Sequence, residues 1–181
     1  MSDSYNFEQM LSGGHPNSLG NTVEVVEIVL GDRALLEKLY NCYFSEDEVV
    51  RLRTSNAMKR ICQAQPQWLV PYIDRFLSEV SQIEQASAQW TLAQLFGQLD
   101  RSMTQQQLER AKILLQHNLT SYSDWIVLNT TMETLGKWAI QDAELAIWLK
   151  PHLEQLSSDK RKSVVGRAKK IIELLYGIKS A

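Results

Sequence analysis

A chain of 181 residues that is 44% hydrophobic, with only eight glycines and four prolines, is long enough to bury a core as one domain and shows no compositional mark of disorder. Its formal charge of -2 gives no bulk electrostatic drive toward nucleic acid or an acidic membrane, so only a local patch can supply one. No stretch approaches the roughly 18 consecutive apolar residues of a membrane span, and an N-terminus carrying Asp3 and Glu8 without a basic start does not read as a signal peptide.

Residues 1 to about 20 contain Gly13, Gly14, Pro16, Asn17 and Gly20 with few apolar residues in register, which predicts a loop or flexible N-terminal arm ahead of a single helical domain over 21–181. Two short helices near 22–30 and 32–43 follow, divided at Gly31-Asp32. Ser45 with Glu48 reads as a capping box for a helix from Val49 to Gln63, which Pro66 closes while opening the next. Further helices are expected near 67–80, 83–98, 105–118, 122–140, 142–156 and 159–176, with Thr104 and Asp142 as caps. No segment alternates with period two, so no strand is expected. Cys42 and Cys62 each fall inside an apolar helical pattern as small buried hydrophobes, which fits a reducing cytoplasm.

Two motifs repeat. Trp68-Leu69-Val70-Pro71-Tyr72-Ile73-Asp74-Arg75-Phe76-Leu77 returns eighty residues on as Trp148-Leu149-Lys150-Pro151-His152-Leu153-Glu154-Gln155-Leu156-Ser157, a near match in residue type at the first, second, fourth to seventh and ninth positions. A second template starts at Arg51 and places small or apolar residues at Thr54, Ala57, Met58 and Ile61. It returns at Gln85 with Ala88, Thr91, Leu92 and Leu95, at Trp125 with Leu128, Thr131, Met132 and Leu135, and more loosely at Lys162 with Val165, Ala168, Lys169 and Ile172. The copies are spaced by 34, 40 and 37 residues, a period that predicts about four stacked helix pairs.

Asp47-Glu48-Val49-Val50-Arg51 followed by Ala57-Met58 and Ile61, with Pro66 and Pro71 beyond, resembles the "D..VR..A..AL..I" second helix and the proline-bearing first helices of the HEAT repeat family. Val23 to Leu77 is similar to small bacterial HEAT-like proteins. The resemblance covers about 22–176. It implies an all-α, right-handed α-α superhelix of the HEAT/ARM-like solenoid type, a fold that hosts many unrelated partners. Gln85, Trp125 and Lys162 stand where the later copies would have the family's arginine, so a regular Asp–Arg ladder between repeats is not expected.

Catalytic signatures are missing: there is no G-x-x-x-x-G-K-[ST], H-E-x-x-H, C-x-x-C or G-x-S-x-G. His15, His117 and His152 lie in different segments, no metal site is assigned and no cofactor is implied. Trp68, Trp138 and Trp148 fall on apolar faces and read as core. If Val50, Thr54, Ala57, Met58 and Ile61 mark the buried side of their helix, the opposite strip holds Leu52, Asn56, Lys59 and Gln63. Carried through the repeat offsets, that strip gives Trp90, then Thr130 and Glu133, then Arg167 and Lys170. Lys59, Trp90, Glu133, Arg167 and Lys170 are therefore the candidate binding residues of a concave surface, with Trp90 as anchor.

From Asp159 onward seven Lys and Arg oppose two acids, so this segment is +5 and the rest of the chain -7. A solvated terminal cap explains it, and a phosphate-binding edge is the sharper reading. The expected function is a non-enzymatic protein-interaction module or adaptor with no membrane partner. The alternative resembles HEAT-like DNA glycosylases acting on alkylated bases, for which Asp124 beside Trp125 and the basic C-terminal helix speak. A third class, a lyase-like chaperone holding a cofactor or a partner subunit, is known among related solenoids.

Overall fold

The computed structural model describes residues 5–15 and 18–177, so Asp3, Pro16, Asn17 and Lys179 lie outside the described residues. Among the described residues all regular structure is helical and there is no strand. The chain divides into two compact units, Met1–Thr91 and Leu92–Ala181.

The first unit contains α1 (Phe7–Leu11), α2 (Thr22–Gly31), α3 (Leu36–Tyr40), α4 (Glu48–Ala64), α5 (Pro66–Leu69) and α6 (Ile73–Ser78), with 3-10 turns at Arg33–Leu35, Asn41–Phe44, Val70–Tyr72 and Val80–Gln82. Its centre is α4, against which α1, α2, α3 and α5 pack. From Val49 to Cys62 no residue of α4 is exposed, because neighbours surround the helix. Ser45 is not its cap. The helix starts at Glu48, and Asp47 accepts from the Val49 N–H at 2.8 Å, while the Ser45 hydroxyl donates to the Glu8 carboxylate at 2.6 Å. The stretch expected as one helix over 67–80 is broken at the 3-10 turn holding Pro71, whose ring removes a backbone donor and crowds the preceding turn.

The expected N-terminal loop is partly helix. Asn6 caps α1 by accepting from the Gln9 N–H at 3.1 Å, and Phe7 and Leu11 are buried in the core. The guanidinium of Arg53, itself buried, donates to the carbonyls of Leu11 (2.7 Å), Ser12 (3.2 Å), Gly13 (2.7 Å), His15 (3.3 Å) and Ser18 (3.1 Å). Gly20 takes a left-handed φ of +50°, and a Cβ there would sit 2.8 Å from the Arg53 guanidinium.

α7 (Ala86–Leu99) contains the division between the units. The second unit continues with α8 (Gln105–Ser121), α9 (Trp125–Ala139), α10 (Ala143–Leu156) and α11 (Lys162–Tyr176), and α8, α10 and α11 all pack on α9. Thr104 and Gln107 form a reciprocal capping box, and Asp142 caps α10 by accepting from the Leu145 N–H at 3.0 Å. Close approach rests on small residues: a Cβ on Gly97 would lie 2.8 Å from Thr134 Oγ1, and one on Gly136 would lie 2.9 Å from Ile171. Gly177, with φ of 64°, ends α11.

The repeated template has a consistent burial. Thr54, Ala57, Met58 and Ile61, then Ala88, Thr91, Leu92 and Leu95, then Leu128, Thr131, Met132 and Leu135 are all buried. The fourth copy is looser, with Ala168 and Ile172 buried and Val165 and Lys169 half-buried. In the proline motif Leu69 and Ile73 are as fully buried as their counterparts Leu149 and Leu153.

Candidate functional site

In the first unit α4 and α7 place Leu52 and Trp90 in the walls of one hollow of about 220 Å³, together with Glu48, Val49 and Gln85. The two residues occupy the same projected strip in successive copies. Trp90 is half-buried, so its indole presents part of its face to solvent. Lys59 is half-buried on α4 and does not line this hollow.

In the second unit the strip positions of copies three and four also meet. The Arg167 guanidinium lies 3.1 Å from the Glu133 carboxylate, with Glu133 exposed and Arg167 half-buried, and Lys170 is exposed one turn on. Thr130, from the same strip, is instead buried, and its hydroxyl donates to the Ile126 carbonyl at 2.8 Å.

The tryptophans separate. Trp138 is buried and its indole N–H donates to Asp100 at 3.1 Å, whereas Trp68 and Trp148, expected in the core, are half-buried. Trp125 is 49% exposed. Asp124 beside it is the cap of α9, one carboxylate oxygen accepting from the Ile126 and Val127 N–H groups at 2.8 and 3.0 Å. In the basic segment, Arg161 forks onto Asp159 at 2.7 and 2.8 Å and also donates to the Ser123 carbonyl, holding the Asp159 carboxyl well below the usual carboxylate range. With Arg167 on Glu133, two of its cations are engaged within the chain.

A hollow of about 750 Å³ in the second unit carries ion pairs in its wall. Lys112 meets Asp142 at 2.6 Å and Lys137 meets Asp100 at 2.5 Å. Burial pushes the Cys42 and Cys62 thiols up to about 11, which keeps them protonated and unreactive at neutral pH. His15 and His117 are exposed, and the His152 ring rests 4.3 Å from Trp148. Among the described residues no group of three or more His, Cys, Asp or Glu is placed to hold a metal ion, and no helix is long and apolar enough to cross a membrane.

Phe44 was hidden from the sequence pattern. It closes the aromatic-rich stretch Tyr40–Phe44 yet is 51% exposed, because the chain leaves the α3 spiral as a 3-10 turn and the last ring swings outward. A break of helical period at Asn41 is the signal that could have found it.

Scans against protein-family models, curated proteins and solved structures returned no match to this chain.

Proposed function

We propose that the chain is a non-enzymatic protein-interaction module, a HEAT-like right-handed α-solenoid that offers a partner its concave helical surface and works as an adaptor. The observation that carries this reading is the half-exposed Trp90 beside Leu52, an aromatic in a groove being the usual composition of an interface anchor. The same template positions are buried in successive copies, which supports the solenoid reading, because in such an architecture each helix pair would complete its core against a neighbour.

The test is affinity purification of the tagged chain and of its Trp90→Ala variant from the source cell, with circular dichroism of both. Loss of a captured partner from a variant that keeps its helical spectrum supports the reading. An unfolded variant identifies the indole as core, and equal capture by both places the partner elsewhere.

A further inference from the structure

The first unit carries twelve Asp and Glu against seven Lys and Arg, a formal charge of -5, whereas residues 92–181 carry nine acids against twelve bases, or +3. Part of the negative excess is concentrated. Glu46, Asp47 and Glu48 follow one another at the start of α4, Glu84 precedes α7, and all four are exposed. Capping accounts for Asp47, and the helix dipole favours Glu48.

Neither effect accounts for what surrounds them. Glu48 and Glu84 line a hollow of about 660 Å³ whose walls include the half-exposed Phe44 and Ile83. Glu48 and Gln85 also wall the hollow that holds Trp90 and Leu52, so the two adjoin and present an aromatic in each. Arg51, the cation lining the first, is turned inward: its guanidinium donates to the Ser45 and Glu46 carbonyls at 2.6 and 3.0 Å and to the Gln85 side chain at 2.7 Å. Among the described residues Glu46, Glu48 and Glu84 have no ion-pair partner.

Hollows that expose aromatic and aliphatic side chains, the larger lined by Glu48 and Glu84 against the single cation Arg51, lie on a unit of net negative charge, and such a surface repels an acidic partner and complements a basic one. We infer that this surface receives a segment of a partner protein in which Lys or Arg flanks an aliphatic or aromatic anchor. The anchors enter beside Phe44 and Trp90, and the cations meet Glu48 and Glu84, where the aromatic faces add cation–π attraction. The inference rests on the protein-interaction reading and adds the face and the chemistry of the partner.

The test pans a library of short random displayed peptides against the immobilised full chain and measures the selected peptides by fluorescence anisotropy at two salt concentrations. Selected sequences should combine Lys or Arg with Leu, Ile, Phe or Trp, and should bind more weakly at high salt. The double variant Glu48→Gln, Glu84→Gln and the single variant Phe44→Ala should each lower affinity at least about ten-fold, with Glu27→Gln as an unaffected control. Acidic or neutral selections, no selection at all, or basic peptides indifferent to both sets of variants would overturn the inference. So would a dimer that Glu48→Gln, Glu84→Gln dissociates, since the occupant would then be a second copy. A natural partner that is lost on Trp90→Ala but insensitive to Glu48→Gln, Glu84→Gln overturns this inference and leaves the interaction reading standing.

Discussion

Arg51 donates through Nε to the side-chain carbonyl of Gln85 at 2.7 Å, and Gln85 returns its amide to the main-chain carbonyl of Glu48 at 2.9 Å. These are the opening positions of two successive template copies, 34 residues apart. A regular Asp–Arg ladder is not expected where glutamine replaces arginine, and these two copies are joined by an Arg–Gln hydrogen bond. In a double-mutant cycle, Arg51→Met and Gln85→Leu should show a coupling of about 1 to 2 kcal/mol in urea melts, because the bond is charge-assisted and half-buried. Arg51→Met alone should cost more than Gln85→Leu, since its bonds to the Ser45 and Glu46 carbonyls are charge-assisted whereas those of Gln85 to the Glu48 carbonyl and the Ser87 hydroxyl are neutral. Additive single effects would show that the bond contributes nothing.

Arg53 holds the N-terminal segment. Its partners are backbone carbonyls, an arrangement that needs the planar fork of a guanidinium and that a lysine cannot reproduce. Arg53→Lys should therefore destabilise by about 2 to 4 kcal/mol and speed protease cleavage before Thr22. Unchanged cleavage would mean that Phe7, Leu11 and the Ser45–Glu8 hydrogen bond anchor the segment without it.

The same cage marks where the sequence stops being legible. The template offsets located Met58, Leu92 and Met132, all fully buried, because helical periodicity records apolar burial directly. Thr104 and Asp142 were readable as caps for an equally local reason. The segment around Gly13 is held by its own carbonyls on a distant guanidinium, and no periodicity registers a main-chain acceptor. Of the candidate strip, the neighbour pairs Leu52 with Trp90 and Glu133 with Arg167 follow from the offsets. Thr130 does not, because its hydroxyl bonds back onto its own helix and lets it pack inward.

Two helical glycines should respond in opposite directions. Gly97→Ala forces a methyl against Thr134 Oγ1, which is itself fixed by donating to the Ala93 carbonyl at 2.7 Å, and should cost about 1 to 3 kcal/mol. Gly166 lies within α11 with nothing inside 4 Å of a would-be Cβ, so Gly166→Ala should stabilise by about 0.5 to 1 kcal/mol through helix propensity. Urea midpoints of the two variants check both signs.

Met58 is fully buried at the core position of the first copy, and Met58→Ala should cost about 2 to 5 kcal/mol. An unchanged denaturation midpoint would contradict the packing of α4.

The Asp142 carboxyl is held below its ordinary value by the Lys112 ammonium and by the Leu145 N–H. A carboxylate depressed in the folded state contributes stability that is present above its unfolded pKa and is lost as pH falls through the folded one. Stability of the wild type should thus decline on acidification through and below the ordinary Asp range, and Asp142→Asn should flatten part of that decline. Parallel slopes for the two proteins, measured by urea melts at stepped acid pH, would show that the pair is screened.

The basic C-terminal segment yields the last prediction, which separates the protein-partner reading from its nucleic-acid rival. Arg161 is forked by Asp159 and Arg167 is paired with Glu133, so Lys160, Lys162 and Lys170 are the exposed cations among its described residues. Few cations release few counterions, and affinity for a labelled DNA duplex should remain in the non-specific range of about 10⁻⁴ to 10⁻⁶ M at physiological salt. Replacing Lys162 and Lys170 by Gln should lower the slope of log affinity against log salt by about one to two. Tight, steeply salt-dependent binding that also requires Trp125 would reverse the preference and make the face beside Asp124 a nucleic-acid interface.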